Sequence, residues 1–268
     1  YRPDGSGFCF SCGQNWYPSG YNGSTSDFTP QKQEDHPVTV LHKIERSVRG
    51  LTPAALQKYH VKEEFTEDGK PLSYLFPRPD GTFLHRLVDR KEFWVSGTRD
   101  EGTPGLFGSD VFAAGSARAV TITEGYFDAI ACYQMQGSQY PALAVQSATS
   151  AKSECARAFE YLNSFDKIYL CFDADEAVQN ASKAVAQLFD FNKVYVVKLD
   201  ATLKDANGYL QANESQAFVK NWWAAQRYLP EGIIASFQKF DEIIEGDVEK
   251  PAVPYPFPKL QEMTHGIR

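Results

Sequence analysis

Two aspartates, Asp173 and Asp175, follow directly on the apolar run "YLCF". Acids at the mouth of a buried strand are costly unless a positive group meets them. Glu124 follows the β-branched run "AVTIT" in the same way, and Asp205 stands in "LKDAN" after a third such run, "VYVV". Carboxylates gathered at the ends of several strands repel when all are ionised, and the pKa of some must rise. A hard cation such as magnesium resolves the repulsion, because it takes oxygen ligands, often one or two carboxylates together with substrate phosphates. The chemistry this set serves is phosphoryl or nucleotidyl transfer, in which metal ions hold the attacking and leaving oxygens. Each acid alone also has an ordinary reading as a helix cap, Asp175 above all. Asp128, one turn into the segment after Glu124, reads equally as support for the set or as a plain exposed acid.

The elements that must position these acids alternate. Residues 118–123, 141–146, 167–173 and 193–199 read as short apolar strands. Between them lie helical segments: "GYFDAIACYQMQG" closing on Gly137, "SAKSECARAFEYLNSF", and "EAVQNASKAVAQLFD". Strands alternating with helices mean βαβ units and a parallel sheet, and right-handed crossovers place helices on both faces. Open parallel sheets bind ligands beyond the carboxyl ends of their strands, which is where Glu124, Asp173, Asp175 and Asp205 fall.

The region before this array is different. Thr52 followed by Pro53 reads as a helix N-cap with proline at the first helical position. Residues 71–89 read as a β-hairpin around the Pro79, Asp80, Gly81 turn. Residues 1–36 are rich in Gly, Ser, Asn and aromatics and read as loop or as a small metal-stapled module. Residues 226–268 lose the alternation: 235–244 reads as one amphipathic helix beside a linker with four prolines in "EKPAVPYPFPK".

The 268 residues, 43% hydrophobic and 14% aromatic, suffice for a packed core of two subdomains. The net charge of -7 argues against a uniformly basic coat for nucleic acid. Charge is nevertheless segregated, with 11 Lys and Arg against 8 Asp and Glu over residues 42–99. Arg86, Arg90, Lys91 and Arg99 stand there beside Phe93 and Trp94, a mixture that suits single-stranded nucleic acid and triphosphate. Either aromatic also reads as core, and each arginine as part of a solvated face. Five cysteines make no even disulfide framework; Cys132, Cys155 and Cys171 read as buried small hydrophobes of a reducing compartment. No stretch approaches the ~20 apolar residues of a membrane span. No GxxxxGK[ST] occurs, so no P-loop lies in these residues. Starting at Tyr1, the chain reads as part of something longer.

"TEGYFDAI", followed 49 residues after its glutamate by "DAD", resembles the Toprim signature of primases, topoisomerases and some nucleases. With "FCFSCG", "RGLT", "KDAN" and "LPEGII" in order, nearly the whole chain resembles the primase half of phage bifunctional primase-helicases. The resemblance implies an α+β N-terminal subdomain joined to an α/β Toprim subdomain, a four-stranded parallel, Rossmann-like sheet flanked by helices, with a partial zinc ribbon at the N-terminus. The implied divisions are 1–36 (half ribbon and linker), 37–115 (basic subdomain), 116–225 (Toprim) and 226–268 (linker and docking helix before a helicase domain). The implied reaction is RNA primer synthesis on single-stranded DNA: a primer 3′-hydroxyl attacks the α-phosphate of a ribonucleoside triphosphate. By that resemblance Glu124 is metal-binding or general acid/base, Asp173 and Asp175 bind magnesium or manganese, and Asp205 is a further acid. Arg86, Arg90, Lys91, Arg99, Lys152 and Lys204 are the expected contacts to nucleotide or template, Arg86 foremost.

Two departures from the family stand out. Where many relatives carry a glycine-rich turn after the second Toprim strand, this chain has "QSATSAK", and Lys152 in it matches a family lysine or is a solvated helix residue. Cys9 and Cys12 form one CxxC knuckle, half of the four ligands a structural zinc needs. Zinc is therefore expected only with upstream ligands, and His36 reads as surface. Without the other half, primer extension is expected to exceed initiation. A redox CxxC lacks its βαβ surroundings. Two alternatives remain at this level: a Toprim-type nuclease, and a catalytically silent module that binds DNA or docks on a helicase. The setting implied is the cytoplasm of an infected cell, with an organellar relative as second choice and no membrane.

Overall fold

A computed structural model of the chain describes residues 40–103, 105–173 and 180–230, the backbone of 176–179, two short strands near the N-terminus, and Lys259. The chain divides into two units, Tyr1–Thr39 and Val40–Arg268. The first holds β1 (Gly7–Phe8) and β2 (Asn15–Trp16), paired antiparallel. Cys9, Cys12 and His36 lie outside the described residues, as do Asp175 and the helix expected over 235–244.

The second unit contains two five-stranded sheets. The first is antiparallel, in the order β3 (Val40–Lys43), β4 (Lys62–Phe65), β5 (Pro71–Pro77), β6 (Thr82–Leu87), β7 (Phe93–Gly97). Helix α1 (Pro53–Lys58) interrupts it, and its start is as expected: Thr52 Oγ1 accepts from Ala55 N at 3.3 Å. Such a cap contributes about 1 kcal/mol. The expected hairpin is β5 and β6. Tyr74 pairs with Arg86 and Arg86 with Phe93, while Phe76 pairs with Leu84 and Leu84 with Val95. Directly opposed residues share a face, so these six side chains form one face of the sheet.

The second sheet has the order β12 (Gln226–Arg227), β11 (Val194–Val196), β10 (Lys167–Cys171), β8 (Ala119–Thr123), β9 (Ala142–Ala144). The four strands β11, β10, β8 and β9 run parallel, as the alternating pattern predicts. The expected four-stranded sheet is corrected by β12, an antiparallel fifth strand at the edge. Two residues are too short to show a periodicity, and they pair only because α7 (Ser215–Trp223) returns the chain to the open edge of β11. Chain order reverses about β8: β9 lies on one side of it and β10 on the other.

The helices cover both faces. Val120, Ile122, Ile168 and Leu170 pack in one apolar cluster with residues of α3 (Ala151–Arg157) and α5 (Glu176–Ala186). Ala119, Tyr169 and Cys171, one register position away, pack in the other with α2 (Tyr126–Met135), α6 (Ala206–Gln211) and α7. The single helix expected over 150–165 is two, α3 and α4 (Phe159–Asn163), because the backbone at Ala158 leaves helical geometry at φ -94°, ψ 16°. That break lets Phe159 stack on Phe189 at 5.3 Å. Helix α2 is apolar on most sides because it lies between the two sheets: Phe127 meets Phe76 at 5.0 Å and Tyr74 at 5.5 Å. Cys132, Cys155 and Cys171 are buried and free, and burial pushes the Cys155 thiol up to about 12. No helix among the described residues is long and apolar enough to cross a membrane.

Candidate active site

The reversal of strand order opens a crevice beyond the carboxyl ends of β8 and β10, the place where open α/β sheets bind ligands. The register pairs Thr123 with Cys171, so both strands end level. Glu124 is the next residue on β8, and Asp173 lies two beyond β10. Both line a cavity of about 550 Å³, which Asp205, Asp128, Asn207 and Gln146 also line. Phe76, Leu84, Arg86 and Phe93, on the face of the antiparallel sheet that packs on α2, line it as well, together with Lys91 and the turn residue Arg49. One cavity thus carries both acids and cations.

Each acid is held differently. Glu124 Oε2 is buried with no hydrogen-bond partner among the described residues. Asp205 caps α6, its Oδ1 accepting from Gly208 N at 2.6 Å. Asp128, left open between two readings by the sequence, belongs to the site, and its Oδ1 accepts from Asn207 N at 2.8 Å. Burial first, then the Asp205 and Asp173 charges, hold the Asp128 carboxyl well above the usual carboxylate range. Asp128 also explains the glycine after Glu124: a Cβ on Gly125 would lie 2.1 Å from Asp128 Oδ2.

Arg86 and Arg49 share one ring. Their guanidinium carbons lie 5.0 and 5.4 Å from the Phe127 centroid, and Arg86 lies 5.9 Å from that of Phe93. Among the described residues neither forms an ion pair. Burial, then Arg49, lowers the Arg86 pKa. Half-buried Arg86 and exposed Arg49, neither in an ion pair among the described residues, leave room for an anion.

Of the other expected basic contacts, only Lys91 reaches the cavity. Arg90 pairs with Glu92 at 2.8 Å, and Arg99 with the buried Asp80 at 3.3 Å. Lys152 lies on the exposed face of α3, and Lys204 is exposed in the left-handed turn before Asp205 at φ 64°. None of these four lines the cavity. Phe93 is not core: as part of an edge strand it stays 48% exposed on the cavity wall. Trp94, on the other face, stacks on His85 at 4.7 Å. Sequence reasoning missed Arg49, Asn207 and Gln146. The "RG" in "RGLT" was the available signal for the first, since Arg49 and Gly50 both take positive φ, 51° and 81°.

Residues 121–210 match the Toprim-like family model. More particularly, the chain is 28% identical over 186 residues to the DNA helicase/primase of Enterobacteria phage T3, 69% of this chain and 32% of that protein. It therefore spans about a third of the length of that curated relative. A chain in the bacteriophage T7 assembly of lagging-strand DNA polymerase with primase domains of two gp4 subunits bound to an RNA/DNA hybrid and dTTP is 26% identical. That match has a TM-score of 0.59 and covers 67% of this chain and 90% of that one. The primase fragment of the bacteriophage T7 primase-helicase shares the fold at 24% identity and TM-score 0.61, over 83% and 92% of the two chains. The resemblance to the primase half of phage primase-helicases holds.

Proposed function

We propose that this chain is a DNA primase that extends RNA on a single-stranded DNA template by metal-dependent nucleotidyl transfer. The observation that carries the reading is the one cavity in which Glu124, Asp173 and Asp205 face Arg49, Arg86 and Lys91. The likeness to the T3 helicase/primase supports it. The antiparallel sheet is read as the basic subdomain, and the parallel sheet as the metal-binding one.

The donor set suits magnesium or manganese. Its oxygens are hard, and one, Glu124 Oε2, is buried without a partner among the described residues. No three acid, His or Cys side chains among those residues form a ready cage, but magnesium is often held by one or two carboxylates plus substrate phosphates. Glu124, Asp173, Asp175 and Asp205 would hold it; when bound, it supplies charge neutralisation at the phosphates and activation of the attacking hydroxyl. The chain's own residues do the rest. Arg49, Arg86 and Lys91 bind the triphosphate, with guanidinium forks matching phosphate geometry. Phe93 offers an exposed ring to a base. Asp128 and Asn207 fix α6, and with it Asp205, against α2. The proposal extends to a zinc half-site at Cys9 and Cys12, a helicase domain joined to this one, and action in the cytoplasm of a phage-infected cell.

The test is a single-stranded template with annealed RNA, labelled ribonucleotides and magnesium, beside Asp173→Asn. Template-directed extension by the parent and not by the variant is expected. No extension with magnesium or manganese overturns the reading, and a shortened template points to a nuclease.

A further inference from the structure

The turn after β9, where glycines are lacking, sets Gln146 in an unusual position. Gln146 is exposed and lines the cavity, yet it is held at both ends. Its backbone N–H donates to Glu154 Oε1 and Oε2, each at 3.2 Å. Its side-chain Oε1 accepts from Arg78 Nη1 at 3.1 Å.

Arg78 is itself fixed. Its side chain is 2% exposed and lies 3.6 Å from the fully buried Asp80. Its Nε and Nη2 donate to Gly105 O at 3.1 and 3.0 Å. The approach is so close that a Cβ on Gly105 would lie 2.5 Å from both Arg78 Nη2 and Asp80 Oδ2. Arg78, Asp80, Gly105 and Glu154 do not line the cavity; Gln146, hydrogen-bonded to Arg78 and Glu154, does. A guanidinium can only donate, which assigns the Gln146 oxygen to Arg78 and leaves the amide NH₂ as a donor turned away from it. The neighbouring hydroxyls do not compete: Ser147 Oγ is engaged with Thr149 Oγ1 and Ser150 Oγ, each at 3.0 Å.

The place of that donor is informative. Thr123 pairs with Ala144, and Val145 N still donates to Thr123 O at 3.0 Å. Glu124 and Gln146 therefore leave adjacent strands, about 4.8 Å apart, at the same rim. A cationic side chain there would pair with Glu124 and compete for it; a neutral amide donates without doing so.

We propose that Gln146 contacts the substrate, its amide donating to a non-bridging oxygen of the α-phosphate of the incoming nucleotide. The proposal rests on the nucleotidyl-transfer reading. A pre-aimed donor of this kind stabilises charge that develops in the transition state.

The test measures primer extension by the parent, Gln146→Glu and Gln146→Met, with thermal midpoints. Gln146→Glu keeps an acceptor for Arg78, loses the donor and adds a negative charge, so the uncharged Gln146→Met is measured beside it to separate the two effects. The Gln146→Glu midpoint should stay while kcat falls about 100-fold, the usual loss for one such donor, with a smaller change in KM. Gln146→Met supplies a second readout. Sulfur accepts hydrogen bonds poorly, so one diastereomer of the α-phosphorothioate nucleotide should show a smaller oxygen-to-sulfur rate ratio in this variant than in the parent. A parent that extends while Gln146→Glu matches its kcat, or an unchanged ratio in Gln146→Met, overturns this inference alone. A parent that extends nothing overturns the nucleotidyl-transfer reading, and this inference with it.

Discussion

Arg49 and Asn207, 158 positions apart, are joined twice: Arg49 Nε donates to Asn207 Oδ1 at 2.7 Å, and Asn207 Nδ2 donates to the Arg49 carbonyl at 3.0 Å. The same asparagine's backbone N–H reaches Asp128. One buried side chain thus ties the turn that carries a cavity cation to the helix that Asp205 begins. A second tie runs beside it, Gln134 Nε2 donating to Gly50 O at 3.0 Å and Thr52 N to Gln134 Oε1 at 2.7 Å. The two walls of the cavity are held in register by hydrogen bonds rather than by packing alone.

Asn207→Ala should lower the unfolding free energy by about 1–3 kcal/mol, the cost of leaving buried polar partners unsatisfied. It should also raise the KM for nucleotide, because Arg49 is no longer aimed. Urea unfolding and steady-state extension check the two effects separately. Intact stability and KM together would show the clasp to be incidental.

Arg86 lies beside Arg49, whose charge acts on it more strongly than the offsetting Asp128 carboxyl. Arg86→Met keeps a stem to pack on Phe127 and removes one of two like charges, so the unfolding free energy should not fall. The nucleotide KM should rise by about 10-fold or more, the worth of a hydrogen bond to a charged group. Arg86→Lys should recover little of this, since an ammonium lacks the planar fork. Extension kinetics and a thermal melt on the same samples test the prediction.

Burial holds Glu154 above the usual carboxylate range, only partly offset by Ser150, Arg78 and the Gln146 N–H. A carboxyl whose folded pKa is raised binds its proton more tightly in the folded state. The stability it contributes is fully present below the unfolded glutamate value of about 4.3. That stability is lost as pH rises through the folded value. Glu154→Gln cannot titrate, so its stability should fall less than the parent's across that window. Unfolding free energies measured from acid to neutral pH decide this, and parallel curves would show that Glu154 does not carry the dependence.

The sequence by itself determined what lies within single elements. The alternating runs specify β8 to β11 and their helices, the Thr52 cap and the 71–89 hairpin are local chemistry, and the strand ends expose Glu124 and Asp173 at one rim. Periodicity encodes which face of an element is buried, and the βαβ rule encodes which end of the sheet is open. Neither encodes which distant segment arrives opposite. Only the tertiary structure decided that Arg99 turns to Asp80 while Arg86 faces the acids, that Phe93 stays uncovered on an edge strand, and that Asn207 closes on Arg49. The same holds for Gln146, an ordinary loop glutamine in sequence, which gains its direction from a buried arginine 68 residues earlier. Charge and hydrogen-bond pairing across such separations depends on strand order and on the angle between two sheets, and a hydrophobic pattern is the same for many such arrangements.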